Sequence, residues 1–153
     1  MMSTTPDKDR FYWVVVADES NAIVYSRDSK SGPMREMYSL ANDAARMKTS
    51  ELISDSGGRR FDSQGGARHT MANERVDVKK HAAQLFAKQI AGRMAKNVHE
   101  GRCRGLALVA APRFLGVLRD SLSIATNLQP YVTVDKAVVG KDTATIEKLL
   151  IDA

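Results

Sequence analysis

Phe11-Tyr12-Trp13-Val14-Val15-Val16-Ala17 is the stretch that decides the fold. Aromatic, β-branched and small apolar residues follow one another without the polar alternation of a half-exposed strand, so the run reads as a strand covered on both faces. Such a strand belongs in the middle of a sheet with a layer on each side. Asp18-Glu19-Ser20-Asn21 supplies turn residues and Ala22-Ile23-Val24-Tyr25-Ser26 a second strand, which together make an opening β-hairpin. Lys30-Ser31-Gly32-Pro33 turns the chain again. Met34-Arg35-Glu36-Met37-Tyr38-Ser39-Leu40 then alternates as a third, half-exposed strand.

Further along, Val78, Ala82, Leu85, Phe86, Ile90, Met94 and Val98 recur at helical spacing, with Lys79, Lys80, Lys88, Arg93 and Lys96 on other faces. This predicts a helix over 77–98, with Asp77 as N-cap and Gly101 beyond its end. Leu106-Ala107-Leu108-Val109-Ala110-Ala111, bounded by Gly105 and Pro112, reads as a short buried strand. Pro112 suits the first position of a helix running through Leu122 towards Ala125. A last strand is predicted from Tyr131 to Val139, and Asp142 or Thr143 caps a terminal helix with Ile146, Leu149 and Leu150 inward. The fold class is therefore α/β: a single domain over 11–153, a mixed β-sheet flanked by α-helices, behind a flexible tail of residues 1–10.

A chain of 153 residues, 43% hydrophobic and 27% charged, can bury a core without disulfides or metals. Cys103 is the sole cysteine, which rules out an internal disulfide and a several-cysteine zinc site. With His99 four residues earlier it has a nearby base, but it reads better as a small half-buried thiol near the start of a strand. The polar N-terminus has no apolar run of signal-peptide length and no stretch reaches membrane-spanning length, so a cytoplasmic location is expected. The net charge of +5 and a pI near 9.5 favour a polyanionic partner.

From Ala41 to Val76 only a short helix near Asn42 to Met47 and an extended piece at Leu52-Ile53 stand out, which is long for a connection inside one domain. Within it lies Gly57-Gly58-Arg59-Arg60-Phe61-Asp62-Ser63-Gln64-Gly65-Gly66-Ala67-Arg68-His69. Glycine pairs let backbone N–H groups converge, and guanidinium groups beside them take phosphate or carboxylate oxygens in bidentate fashion. Gly58, Arg59, Arg60, Asp62, Ser63, Gly65, Gly66, Arg68 and His69 are the candidate binding residues. A solvated, flexible loop explains the same composition. Arg113 and Arg119 join the set because they follow the strand ending at Ala111, where open α/β sheets place ligands; snorkelling from an amphipathic helix is the alternative. His69 reads either as a base or metal ligand or as a residue that holds the loop by hydrogen bonding to backbone.

The assembled pattern resembles the bacterial family named for a protein required for attachment to host cells. The resemblance runs from Trp13 to the terminal helix. It rests on Val14-Val15-Val16-Ala17-Asp18, Asn42 with Ala45-Arg46, Glu51-Leu52-Ile53-Ser54-Asp55, Gly58-Arg59-Arg60-Phe61-Asp62-Ser63, Arg68-His69 and Ala111-Pro112-Arg113-Phe114-Leu115-Gly116-Val117-Leu118-Arg119. The family is more remotely similar to the middle domain of archaeal and eukaryotic peptide release factors, whose glycine-glycine-glutamine loop acts at the peptidyl-transferase centre. Here Gln64-Gly65-Gly66 reverses that order, so the resemblance implies no hydrolytic role for Gln64. It implies instead an RNA or ribosomal surface as partner, while the family's name implies a protein partner in attachment.

The enzyme alternative is a metal-dependent nuclease. Asp18, at the end of a strand before a hairpin, resembles the opening of ribonuclease-H-like folds, with Asp62 and Asp135 as further ligands. Each has a plainer role, as turn former, arginine partner and solvent-facing residue respectively. A non-catalytic binding module without cofactor or metal is the reading expected from the residues.

Overall fold

The computed structural model describes residues 10–46 and 67–153, with side chains described for 10–44 and 77–153. The elements are β1 (Phe11–Ala17), β2 (Asn21–Arg27), β3 (Arg35–Ala41), a short α1 (Asp43–Arg46), α2 (Ala67–His99), β4 (Cys103–Ala110), α3 (Pro112–Thr126), β5 (Val132–Val134) and α4 (Thr143–Asp152). They form one α/β unit around a five-stranded sheet of order β3-β2-β1-β4-β5. β1 pairs antiparallel with β2 and parallel with β4, so the sheet is mixed. The expected tail of residues 1–10 lies, except for its last residue, outside the described residues, as does the extended piece at Leu52-Ile53.

β1 is central, and its alternating side chains feed two cores. Trp13, Val15 and Ala17 pack with Phe86, Ile90 and Met94 of α2 and with Phe114, Leu118 and Leu122 of α3. Val14 and Val16 face the other way, with Tyr25, Met34, Val109, Val134 and Ile146 of α4. Continuous hydrophobicity in β1 is the mark of a strand with helices on both sides. Two polar contacts tie the layers at their margins. The Trp13 Nε1–H donates to Arg102 O at 2.9 Å, and the Met34 N–H donates to Glu147 Oε2 at 3.0 Å.

Three sequence expectations change. The long helix begins at Ala67, so Asp77 is an exposed interior residue and not the N-cap. Hydrophobic period reports packing, and packing against the sheet starts only at Ala82, the first buried position among the described side chains of α2. The buried stripe is Ala82, Ala83, Phe86, Ala87, Ile90, Ala91 and Met94; Leu85 is 52% exposed on the far side, and Val78 and Val98 are half-buried. Alanines let the helix lie close to the strands, a contribution that bulk-weighted reading overlooks. The last strand is Val132–Val134 only. Its ladder runs against Ala107 to Val109, and β4 stops at Ala110, so Asp135 onward has no strand to pair with.

Helix ends follow local chemistry. Gly101 takes φ 75° after α2, with its N–H donating to Val98 O and Arg102 N–H to Asn97 O. Pro112 sits in the first turn of α3, and Asp142 caps α4 by accepting from Thr145 N–H at 2.9 Å.

Candidate functional site

The parallel strands β1 and β4 end side by side, Ala17 opposite Ala110, and the Ala111 N–H donates to Ala17 O at 3.1 Å. From this carboxyl edge the chain leaves in two directions. After β1, Asp18 Oδ1 accepts from the N–H groups of Ser20 and Asn21 at 2.8 and 2.7 Å, closing the hairpin. That oxygen is engaged in its own turn, as a turn-forming aspartate requires. After β4 the chain enters α3 without a side-chain cap, and Arg113 stands exposed at its second position. Arg119, also exposed, lies six residues on, about 9 Å down the helix and on another face. The structure thus puts Arg113 at the sheet's carboxyl end and Arg119 away from it.

Asn42 binds this edge together. It is 7% exposed; its N–H donates to Ser20 O at 2.8 Å, and its Nδ2 donates to Glu19 O at 2.9 Å and to Ala82 O at 3.4 Å. Hairpin, third strand and long helix are pinned at one point. Beside the pin, Glu19, Ser20, Lys79 and Ala83 line a shallow cleft of about 220 Å³. α2 runs from the carboxyl end of the sheet, where Ala82 O meets Asn42, to the turn before β4, and its fifteen residues before Ala82 span about 22 Å of helix.

The start of α2 at Ala67 reassigns two candidates. Arg68 and His69 belong to the first turn of α2 and not to the glycine loop. Gly58, Arg59, Arg60, Asp62, Ser63, Gly65 and Gly66 lie outside the described residues, as does Asp62 in its role as metal-ligand candidate. Asp135 is exposed, and among the described residues no three His, Cys, Asp or Glu side chains come together as a metal site. His81 and His99 are exposed on α2. Cys103 is half-buried, with its thiol 3.4 Å from Gly105 O, and burial pushes its pKa up despite that hydrogen bond and nearby Arg10.

The charge distribution supplies what the loop-centred reading missed. α2 carries seven Lys and Arg (Arg68, Arg75, Lys79, Lys80, Lys88, Arg93, Lys96) against Glu74 and Asp77, a net +5, which equals the net charge of the entire chain. Segment 47–66 is balanced: Lys48, Arg59 and Arg60 against Glu51, Asp55 and Asp62. Lys79, Lys80, Lys88, Arg93 and Lys96 are all exposed, and among the described residues none makes an ion pair. Arg93 lies over the Tyr38 ring, 4.2 Å from its centroid, while the Tyr38 hydroxyl points at Met94 Sδ, 3.6 Å away. Burial raises the Tyr38 pKa, opposed by Arg93 and a hydrogen bond with Asn97. A count of charge by element would have found this helix from the sequence; periodicity alone placed its lysines only off the apolar stripe.

No described helix is long and apolar enough to cross a membrane. No curated protein matches the chain. Among solved structures it is similar to the ethanolamine utilization protein EutJ from Carboxydothermus hydrogenoformans, at TM-score 0.47 and 14% identity, over 92% of this chain and 50% of that one. It is also similar to the type II variant of the Aquifex aeolicus Ppx/GppA phosphatase, at TM-score 0.39 and 11% identity, over 82% of this chain and 35% of that one. The chain thus spans half the length of the first and 35% of the second. The family described as "Protein required for attachment to host cells" matches residues 13–150, nearly the whole of the sheet and its helices, and the chain belongs to that family.

Proposed function

We propose that the chain is a non-catalytic binding module whose working surface is the basic helix α2 together with the carboxyl end of the sheet, and that RNA, free or in the ribosome, is its partner. The observation that carries this is the concentration of the whole net charge on one helix whose described cations are exposed and not ion-paired. Cations without carboxylate partners keep their full attraction for phosphates and release counterions when they meet them. Lys79 and Lys96 are separated by about 26 Å of helix, more than a small anion can bridge, which favours a polymer. Lys79 lies in the cleft lined by Glu19, Ser20 and Ala83, which joins the helix surface to the carboxyl end of the sheet.

The test is binding of a single-stranded RNA oligomer across a salt series, for wild type and for Lys80→Ala/Lys88→Ala/Lys96→Ala. If each lysine neutralises one phosphate, the logarithmic salt slope of the triple variant shrinks by about 2. Binding that ignores salt, or a slope unchanged in the variant, refutes the reading. A protein partner in attachment is the second reading. It is favoured by the family's description and by Leu85, an apolar side chain 52% exposed on the outer face of the same helix. Co-purification that survives ribonuclease and is lost in Leu85→Lys selects it.

A further inference from the structure

Four of the described glycines have a local reason to be glycine. Gly101 and Gly140 take positive φ, at 75° and 89°. A Cβ on Gly32 would lie 2.9 Å from Ser29 Oγ, and one on Gly105 would lie 3.1 Å from Tyr12 Cδ1. Gly92 and Gly116 have neither reason. They lie inside α2 and α3 without positive φ, and a Cβ on either would meet nothing within 4 Å. Glycine is the least favourable residue after proline in a helix interior, so each weakens its helix with no offsetting contact among the described residues.

Position and charge are alike at the two. Gly92 falls two residues after Ile90 and two before Met94, Gly116 two after Phe114 and two before Leu118, and all four of those side chains are buried. Positions two apart point to opposite sides of a helix, so each glycine stands on the crest of its helix, away from the sheet. α2 and α3 cover the same face of the sheet, with Phe86 stacked on Phe114, so the two crests belong to one outer surface. Lys88 and Lys96 flank Gly92 about one turn before and one turn after, and Arg113 and Arg119 stand three residues to either side of Gly116. All four cations are exposed, and none forms an ion pair among the described residues. Asp120, four residues after Gly116, is an exposed acid beside them.

We propose that Gly92 and Gly116 are the points where the sugar–phosphate backbone of RNA lies against α2 and α3, each notch set between two cations that take the phosphates on either side. The inference rests on the RNA reading of α2 and adds the crest of α3 to it. Absence of a Cβ lets a ligand backbone come closer to the helix than any side chain permits. Phosphate oxygens held there meet ammonium groups on α2 and guanidinium groups on α3. An apolar partner helix would use the same clearance, but four unpaired cations around the two glycines favour phosphate.

The experiment measures thermal unfolding, and binding of a single-stranded RNA oligomer at fixed salt, for wild type, Gly92→Ala, Gly116→Ala and the double variant. Alanine clashes with nothing and relieves the helix penalty, so the double variant should melt roughly 2–8 °C higher than wild type. It should nevertheless bind RNA about tenfold more weakly, the equivalent of one charge-assisted hydrogen bond, with each single variant carrying part of the loss. A gain in stability joined to a loss of affinity does not come from damage to the fold. A double variant that binds as wild type, or a loss confined to one single variant, overturns the inference. If Lys80→Ala/Lys88→Ala/Lys96→Ala still lowers the salt slope, the reading of α2 stands without it; a wild type that does not bind RNA removes both. Loss of a ribonuclease-resistant protein partner with RNA binding intact also overturns it and assigns the crests to that protein.

Discussion

Truncation of Phe86 to alanine, set against Leu85→Ala, tests which face α2 turns to the sheet. The two residues are neighbours in sequence, and sequence periodicity places both on the apolar stripe. In the structure Phe86 is 1% exposed and stacks on Phe114, with centroids 6.0 Å apart and planes at 23°, whereas Leu85 is 52% exposed. Removing a fully buried phenyl forfeits its transfer free energy and leaves a cavity between α2, α3 and β1, together about 3–5 kcal/mol. For a chain of this size that lowers the melting temperature by roughly 6–20 °C. Leu85→Ala shifts stability by no more than about 0.5 kcal/mol. Urea unfolding followed by Trp13 fluorescence reads both, because this sole tryptophan is 4% exposed and reports loss of the same core. A double-mutant cycle with Phe114→Ala isolates about 0.5–1.5 kcal/mol for the ring pair. Equal losses at the two positions, or a Phe86 loss below about 1 kcal/mol, would refute the placement of the helix.

Gly105→Ala forces a Cβ into the Tyr12 and Tyr131 rings and should cost about 1–3 kcal/mol by urea unfolding; a neutral result would mean that the rings yield freely. Asp142 is held below its usual carboxylate range first by hydrogen bonding from the Thr145 side chain and backbone. Its cap therefore stabilises α4 above the unfolded-state carboxylate pKa and fades as pH falls through the lowered folded value, which an acid loss of Thr145 amide protection relative to the intrinsic exchange rate should report and Asp142→Ala should abolish. Cys103, raised by burial, should react with a thiol reagent at neutral pH more slowly than free cysteine and reach the free rate only in denaturant. Full native-state reactivity would contradict its burial.

Sequence patterning reached the sheet and its helices because burial on two faces leaves an unbroken apolar run in β1 and spaced apolar residues in α3 and α4. It lost the first ten residues of α2, where no described packing imprints a period, and it preferred Leu85 to Ala83 and Ala87 because bulk was taken as the sign of burial. It extended the last strand to Val139, since pairing is set by where β4 ends and not by β propensity in 135–139. For the candidate site, glycine and arginine drew attention to a segment of net charge +2, Arg59, Arg60 and Arg68 against Asp62, while the five exposed lysines and arginines of α2 were noted only as lying off the apolar stripe. Arg27 went unnoticed because nothing in Ser26-Arg27-Asp28 signals that a guanidinium will be buried; the 28–34 turn folding back to offer Gly32 O is a tertiary event.

The Asn42 side chain closes a loop: through Ala82 O it joins two points 40 residues apart in the chain. Everything between them is an excursion that departs from and returns to one anchored site. The entropy of closing such a loop grows only with the logarithm of its length, so doubling the excursion would cost about 0.6 kcal/mol. By that measure the length of chain between the two anchors is a weak lever on the pinned edge itself. Asn42→Ala, by unpinning both ends, would loosen the hairpin, β3 and α2 together.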